Sequence, residues 1–599
     1  MIETSTGGAA VLQVERSFAG RTWRARLNRA GDAEAQTLIQ SFGLSDLLAR
    51  VLAGRNVSPP NIETHLAPTL RALMPDPSTM RGMDEAVERL AEAVAAGETV
   101  AIFGDYDVDG AASSALLADY LDRCGVARLI HIPDRITEGY GPNTQAIDAL
   151  AGQGARLLVC VDCGTTSPEA LAHARRLGLD PIVLDHHLAP PDLPDAIVVN
   201  PNRQDCLSGL GQLCAAGVVL MLLVGLNRRL RASGFWSDAR PQPDLLHALD
   251  LVALATVADV APLVGLNRAF VARGMEAIAR RARPGLAALM DVARLNGPPE
   301  PWHLGFLLGP RINAGGRIGD AALGARLLLE RDPVATARIA GELDRLNAER
   351  RAMEAASVED AIAGAAHHSL EDLPPVIVAA GDWHPGVVGL IAARLRERFG
   401  RPAFAVAWSG EEGGVGSGRS IPGVDLGTAV RAAVEAGVVV KGGGHAMAAG
   451  VTLARDALAG FESFLAARLS TRVDDVVRDD ALLLDGALSA GGATRSLIKD
   501  LARAGPFGAG NPEPVFAFPA HRLIHAEAVG ADHVRLRFQS RDGARLEAMA
   551  FRAAQTPLGR ALRDAVGDTL HLALSLSLDR WGGREKVSAR VADAAPASG

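Results

Sequence analysis

The chain has 599 residues, 48% apolar and 22% charged, an ordinary globular balance that is too long for one hydrophobic core, so three or four domains are expected. With 61 basic and 69 acidic residues the net charge is −8, which excludes a uniformly basic nucleic-acid coat but allows acids gathered round metals and arginines along a groove. Five cysteines argue against a disulfide framework and for a reducing, cytoplasmic setting.

The start, Met1-Ile2-Glu3-Thr4, carries an acid and no apolar stretch behind it, so no secretory signal is expected. Residues 1–75 hold scattered apolar and Pro-rich pieces (Ser58-Pro59-Pro60, Met74-Pro75-Asp76-Pro77) and read as an N-terminal extension packed on the core. From 76 to 333 strands and helices alternate. Met83–Ala96 has helical periodicity and stops at Gly97; Thr99–Phe103 is a short apolar strand; Gly110–Leu121 is a helix. Strand-like runs follow at Leu129–Ile132, Leu157–Val161, Ile182–Leu184 and Ile197–Val199, which predicts an α/β domain with a parallel sheet. In such sheets ligands bind outside the carboxyl ends of the strands. The longest apolar run, Leu213–Leu226, is short of the roughly 20 residues a membrane span needs and reads as a core helix.

Residues 334–366, rich in Ala, Arg and Glu, predict one long connector helix. A second, smaller α/β domain is expected over 367–468, starting at the strand Val376–Ala380 and rich in glycine near its end. From 469 to 592 the texture becomes strict alternation, at His533–Gln539, Arg545–Phe551 and Leu570–Leu578, which fits a small β-barrel of the OB type. Residues 593–599 are left as a tail, with Ala594–Gly599 expected to fray.

Four clusters carry the chemistry. Gly104-Asp105-Tyr106-Asp107-Val108-Asp109-Gly110 follows a strand directly, and three carboxylates so close together are most cheaply held by a cation. A calcium loop would need an acid where Leu116 stands, and helices on both sides. Asp162 ends the strand Leu157–Val161; the flanking Cys160 and Cys163 have no second ligand pair for zinc in Cys206 and Cys214, so Cys160 reads as core. Asp185-His186-His187 ends another strand, and Asp259 closes the apolar stretch Leu249–Val257. Aspartates and histidine without cysteine suit Mn²⁺ or Mg²⁺. Two such ions, roughly 3.5–4 Å apart, support in-line phosphoryl displacement. In this reading Asp162 bridges the ions and Asp107 and Asp109 divide between them. His186 and Asp259 complete the second, Asp105 completes or supports the first, and His187 meets the scissile phosphate.

These motifs resemble the DHH phosphoesterase superfamily, whose name is the tripeptide Asp185-His186-His187, and within it the RecJ exonucleases. Gly309-Pro310-Arg311-Ile312-Asn313-Ala314-Gly315-Gly316-Arg317 is similar to the loop closing the first domain of that family, the DHH catalytic domain. Gly442-Gly443-Gly444-His445 is similar to the signature of the DHH-associated domain, and Gly505-Pro506-Phe507-Gly508-Ala509-Gly510-Asn511-Pro512 to the lead-in of the OB-fold. The likeness spans roughly residues 45 to 590. It implies a 5′→3′ exonuclease specific for single-stranded DNA, acting in repair and recombination beside a single-stranded-DNA-binding protein and a helicase, as a monomer away from membranes. It also implies substrate contacts at Arg135, Arg311, Asn313, Arg317, Ser417, Arg419 and His445, with Gly442–Gly444 bringing backbone close to a phosphate. Arg535, Arg537, Arg541 and Arg545 offer the barrel a phosphate-tracking face, or form a solvated surface. The rival readings are a phosphodiesterase for very short or cyclic dinucleotides or a pyrophosphatase, which would lack the barrel, and an inactive DNA-binding scaffold, which would lack metal ligands.

Overall fold

The computed structural model describes residues 9–365, 373–410, 413–581 and 584–597. They form two compact units. One runs from Pro68 to Ser470 and takes in Gly508–Gly510; the other joins the residues up to Ala67 with Thr471–Phe507 and the stretch from Asn511 on.

The first unit opens on a five-stranded, wholly parallel sheet in the order Arg128–His131, Val100–Phe103, Leu157–Val161, Asp180–Leu184, Ile197–Val199. Val100–Phe103 and Leu157–Val161 are buried at every position, which is why they read as continuous apolar runs rather than alternating ones. Helices Met83–Ala96, Val108–Cys124 and Ala215–Ala232 pack on one face, Thr144–Gly152 and Pro168–Arg176 on the other. The apolar run at 213–226 is thus the core helix Ala215–Ala232, and no described helix is long and apolar enough to cross a membrane.

The connector is a single helix, Pro333–Ala365, about 50 Å long at 1.5 Å per residue; residue 366 lies outside the described residues. It leads to a second sheet, ordered Lys441–His445, Ala448–Leu453, Gly413–Arg419, Ala403–Ser409, Ile377–Gly381, in which only the last pair is parallel. The glycine run 442–444 is part of an edge strand, where a side chain on Gly442 would strike Val430 and one on Gly444 the backbone of Ala448.

The second unit is a closed barrel. Strands Phe516–Val529, His533–Gln539 and Arg545–Ala550 follow one another antiparallel; Arg584–Pro596 joins parallel to Arg545–Ala550; Thr569–Trp581 closes the ring onto Phe516–Val529. The helix Pro557–Asp564 spans the gap between third and fourth strands, an OB arrangement. Arg535, Arg537, Arg541 and Arg545 all lie exposed on it, with Arg535 3.2 Å from Glu527 and Arg537 3.7 Å from Glu547.

Two expectations change here. Residues 9–67 are not an extension of the catalytic half: Thr22–Ala25 pairs in parallel with Ala481–Leu484, and Leu38, Leu48 and Leu52 share a core with Phe516, Phe518 and Leu536. Nor does the chain fray at 593. Asp593 is fully buried, accepting hydrogen bonds from the Ser17 hydroxyl (2.6 Å) and the Trp23 indole (3.1 Å), and strand pairing runs on to Pro596. The same covering segment explains why Ala573 is buried although Leu570, Leu572 and Leu574 already face the barrel interior: Ala573 packs with Trp23 on the outside.

Candidate active site

Three neighbouring strands of the parallel sheet deliver their acids at their carboxyl ends. Asp105 follows Val100–Phe103, and the chain turns at once into helix Val108–Cys124, capped by Asp107, whose carboxylate accepts the Asp109 N–H (2.9 Å) and the Gly110 N–H (3.1 Å). That turn is so tight that a β-carbon at Gly110 would lie 2.4 Å from the Asp105 carbonyl. Asp162 follows Leu157–Val161 with φ at +62°, a left-handed conformation that costs a non-glycine residue about 1 kcal/mol. Asp185, His186 and His187 follow Asp180–Leu184, and Asp259 closes helix Leu249–Ala258.

The structure brings these side chains together. His186 Nε2 lies 3.2 Å from Asp162 Oδ1 and 3.8 Å from both Asp109 Oδ2 and Asp259 Oδ2. Three groups have ligand atoms within 4.8 Å of one another: Asp105, Asp107 and Asp162; Asp109, His186 and Asp259; and Asp162, His186 and His187. Asp109 is oriented by helix Ala215–Ala232, whose first amides, Ala215 N–H (2.6 Å) and Ala216 N–H (2.8 Å), donate to it. Asp105 Oδ1, Asp162 Oδ1 and His186 Nε2 are buried without a hydrogen-bond partner. Each such orphan costs about 1–3 kcal/mol, so three of them converging mark a place that a cation completes. Burial, then the neighbouring carboxylates, pushes Asp105 and Asp162 well above the usual carboxylate range. Burial also raises Asp109, takes Asp259 up to about 9 and lowers His186. The donors are oxygen and imidazole nitrogen, which fits Mn²⁺ or Mg²⁺. Cys160 and Cys163 are buried, and no cysteine enters a candidate metal group among the described residues.

A layer of polar residues behind the histidines had only its strand-end positions as a signal. Asp185 accepts the backbone N–H of His186 (2.7 Å), His187 (3.2 Å) and Thr165 (3.2 Å), and its Oδ1 lies 2.8 Å from His187 Nδ1. Burial works against charge on both partners, yet the contact overrides it: Asp185 is held below the usual carboxylate range and His187 is raised to about 9. Asn200 donates to the His187 carbonyl (2.8 Å) and Asn202 to that of His186 (2.6 Å); both stand at the end of Ile197–Val199, where the strand-end rule could have found them. Tyr140 donates to the Asp162 carbonyl (3.1 Å), and its hydroxyl lies 3.2 Å from His187 Nδ1.

Guanidiniums gather on the other side. Arg135 sits 5.0 Å over the Tyr106 ring. Arg317 donates to the Gly386 carbonyl (3.0 Å) and Arg419 to Ser417 Oγ (2.8 Å). Burial first, then mutual repulsion with Arg135 and Arg419, takes Arg317 down to about 9, and burial and Arg135 lower Arg419. Asn313 Oδ1 is buried and unpartnered, and the His445 ring stacks on His187 at 6.3 Å between centroids. Arg311 Nε donates to Asp344 of the connector helix (2.8 Å) and its Nη1 to the Leu307 carbonyl (2.7 Å).

Comparison with known proteins follows the same divisions. Residues 99–256 match the DHH family N-terminal domain, 373–471 the DHHA1 domain and 484–593 the RecJ OB domain. The chain is 37% identical over 507 residues to the single-stranded-DNA-specific exonuclease RecJ of Salmonella typhimurium, covering 82% of this chain and 86% of that one. It is 30% identical over 581 residues to RecJ of Bacillus subtilis, covering 96% and 71%. Among solved structures, RecJ from Thermus thermophilus in complex with Mn²⁺ superposes with a TM-score of 0.76 at 28% identity, over 94% of this chain and 78% of that one. The Mg²⁺ complex gives 0.71 at 27%, over 94% and 76%. Sheet order, barrel closure and extended identity agree, and the chain belongs to the RecJ family of single-stranded-DNA-specific exonucleases.

Proposed function

We propose that this chain is a 5′→3′ exonuclease on single-stranded DNA that releases mononucleotides with two divalent ions, Mn²⁺ or Mg²⁺, in DNA repair and recombination. The observation that carries the reading is Asp162: it belongs to two adjoining candidate metal groups, and its Oδ1, 3.2 Å from His186 Nε2, is buried without a hydrogen-bond partner. Asp105, Asp107 and Asp162 would hold one ion, and Asp109, His186 and Asp259, with Asp162 shared, the other. Bound there, the ions would activate water and neutralise charge on the attacking and leaving oxygens of the displacement.

The chain's own groups do the rest. His187, kept protonated by Asp185, presents a donor to the scissile phosphate. Arg135, Arg317 and Arg419, with Ser417, hold a terminal phosphate, and their mutual repulsion is relieved when an anion enters. Asn313 and His445 complete the cleft. The proposed division is a DHH catalytic domain at 76–333, a connector at 334–366, a DHH-associated domain at 367–468 and a barrel at 469–592 that carries the longer strand. A monomer working in the cytoplasm with a single-stranded-DNA-binding protein and a helicase fits this activity.

A phosphodiesterase for dinucleotides is disfavoured by the complete barrel, and an inactive scaffold by the convergence of all six proposed metal ligands. The experiment offers single strands, duplexes and dinucleotides with Mn²⁺. Mononucleotides are expected from single strands alone, progressively from the 5′ end; cleavage confined to dinucleotides, or equal on duplex, overturns the reading.

A further inference from the structure

The proposed metal ligands are not anchored alike. Asp105 and Asp162 stand where buried strands stop, and Asp109 receives two amide protons from helix Ala215–Ala232. Asp259 closes helix Leu249–Ala258 nearer the surface: its side chain is 26% exposed, and the next residue, Val260, is 69% exposed with φ at +59°. Among the described residues no hydrogen bond holds its carboxylate, which meets the cluster 3.8 Å from His186 Nε2. A metal ligand must keep its distance to within about 0.2 Å, so the loop behind Asp259 needs fixing from elsewhere.

Two contacts fix it. The first comes from far along the chain: the Leu263 N–H donates to the Ala509 carbonyl (2.7 Å). Gly508–Gly510 belongs to the same compact unit as the site, although the residues on either side of it in the chain do not. The approach uses the missing side chains, since a β-carbon at Gly508 would lie 2.7 Å from the Leu263 side chain and one at Gly510 3.0 Å from that of Pro262. The glycines of the motif at 505–512 thus have a task in the catalytic half. The second contact is Asn267, which is fully buried. Its Nδ2 donates to the Pro262 carbonyl (3.0 Å) and to the Gln212 carbonyl (2.7 Å). Gln212 stands just ahead of the helix Ala215–Ala232 that orients Asp109. One buried amide therefore ties the loop of Asp259 to the seat of Asp109, and losing it strands two carbonyls at about 1–3 kcal/mol each.

We propose that Gly508-Ala509-Gly510 and Asn267 are positioning residues for the ion held by Asp109, His186 and Asp259: they strap the loop that follows Asp259, so that its carboxylate and that of Asp109 keep one separation. Asp105, Asp107 and Asp162 lie on the sheet and its first turn, which the strap does not touch, so the other ion is independent of it. The inference rests on the two-ion reading above, and its test separates the two.

Full-length Gly508→Val and Asn267→Leu are titrated with Mn²⁺ while the electron paramagnetic resonance signal of the free ion is followed. Gly508 is exposed, so its variant keeps the fold even if the buried Asn267→Leu does not. One of the two ions is expected to bind about tenfold more weakly, the size of a lost orienting partner, and the other with wild-type affinity. Gly508→Ala, whose single methyl the Leu263 side chain can swing away from, stays within about twofold of wild type. In metal-free protein, amide exchange over residues 260–264 quickens in Gly508→Val while helix Val108–Cys124 keeps its protection. Hydrolysis then needs more Mn²⁺, saturating Mn²⁺ restores kcat, and KM for single-stranded DNA does not move. Wild-type affinity for both ions in Gly508→Val, equal weakening of both, a kcat that saturating Mn²⁺ leaves low, or a raised KM for DNA each overturn the strap. An unaltered chain that binds both ions yet cleaves no strand overturns the nuclease reading instead, and the Mn²⁺ titrations still decide on the strap.

Discussion

His187 Nδ1 lies 2.8 Å from Asp185 Oδ1, and the same carboxylate accepts three backbone N–H groups, so one buried side chain fixes both the path of the histidine loop and the charge of its last imidazole. Asp185→Asn is expected to lower kcat/KM about 10–100-fold, as loss of an orienting partner does. Asp185 raises His187 to about 9, so removing its charge lets the imidazole lose its proton earlier as pH rises. The deficit should therefore be larger at pH 8 than at pH 6. Parallel pH profiles for the two proteins would detach Asp185 from this role.

Asp162 combines a left-handed backbone with a buried oxygen that has no hydrogen-bond partner. Asparagine tolerates that conformation and keeps the shape of the side chain, so Asp162→Asn isolates the lost charge, while Asp162→Ala removes the whole carboxylate. Both should cut single-turnover hydrolysis by at least about a thousandfold yet leave binding of single-stranded DNA, measured by anisotropy, largely intact. Near-normal turnover in Asp162→Asn would falsify the bridging assignment.

The acidic cluster also predicts a coupling between pH, metal and stability. Asp105, Asp109 and Asp162 are raised in the fold and Asp259 reaches about 9, against about 3.9 in an unfolded chain. Across that window the metal-free folded state binds more protons than the unfolded state, so stability falls as pH rises. His187, also raised to about 9, adds in the same direction. Metal-free protein should melt at a lower temperature at pH 8 than at pH 6, and Mn²⁺, which displaces the protons, should raise the melting temperature more at pH 8. An equal Mn²⁺ effect at both pH values counts against a metal seat here.

A chain ending at Ser470 but retaining residues 9–67 leaves Leu38, Leu48 and Leu52 without Phe516, Phe518 and Leu536. It should aggregate on size-exclusion chromatography, whereas a chain from Pro68 to Ser470 should stay soluble. Equal behaviour would show that the N-terminal segment does not depend on the barrel.

The strands of the parallel sheet were legible because burial on both faces writes them as unbroken apolar runs, and the site was legible because Asp105, Asp162 and Asp185 each stand where such a run stops. Helix Pro333–Ala365 was legible from its uninterrupted composition. What escaped was non-local. Nothing near Thr22–Ala25 names Ala481–Leu484 as its partner, and nothing in the last residues shows that Asp593 will receive a serine and a tryptophan from the other end of the chain. Nothing near Arg311 in sequence names Asp344, 33 residues on, as the carboxylate that its Nε meets. The strand at Gly442–Gly444 escaped because periodicity is silent where there are no side chains.

The pairing of Thr22–Ala25 with Ala481–Leu484 imposes a schedule on biosynthesis. The early strand leaves the ribosome roughly 450 residues ahead of its mate, a wait of some 20–90 s at about 5–20 residues per second. Throughout that interval Trp23 and the leucines behind it have no core to enter, so nascent-chain chaperones have a long window on this segment while the catalytic half is already folding.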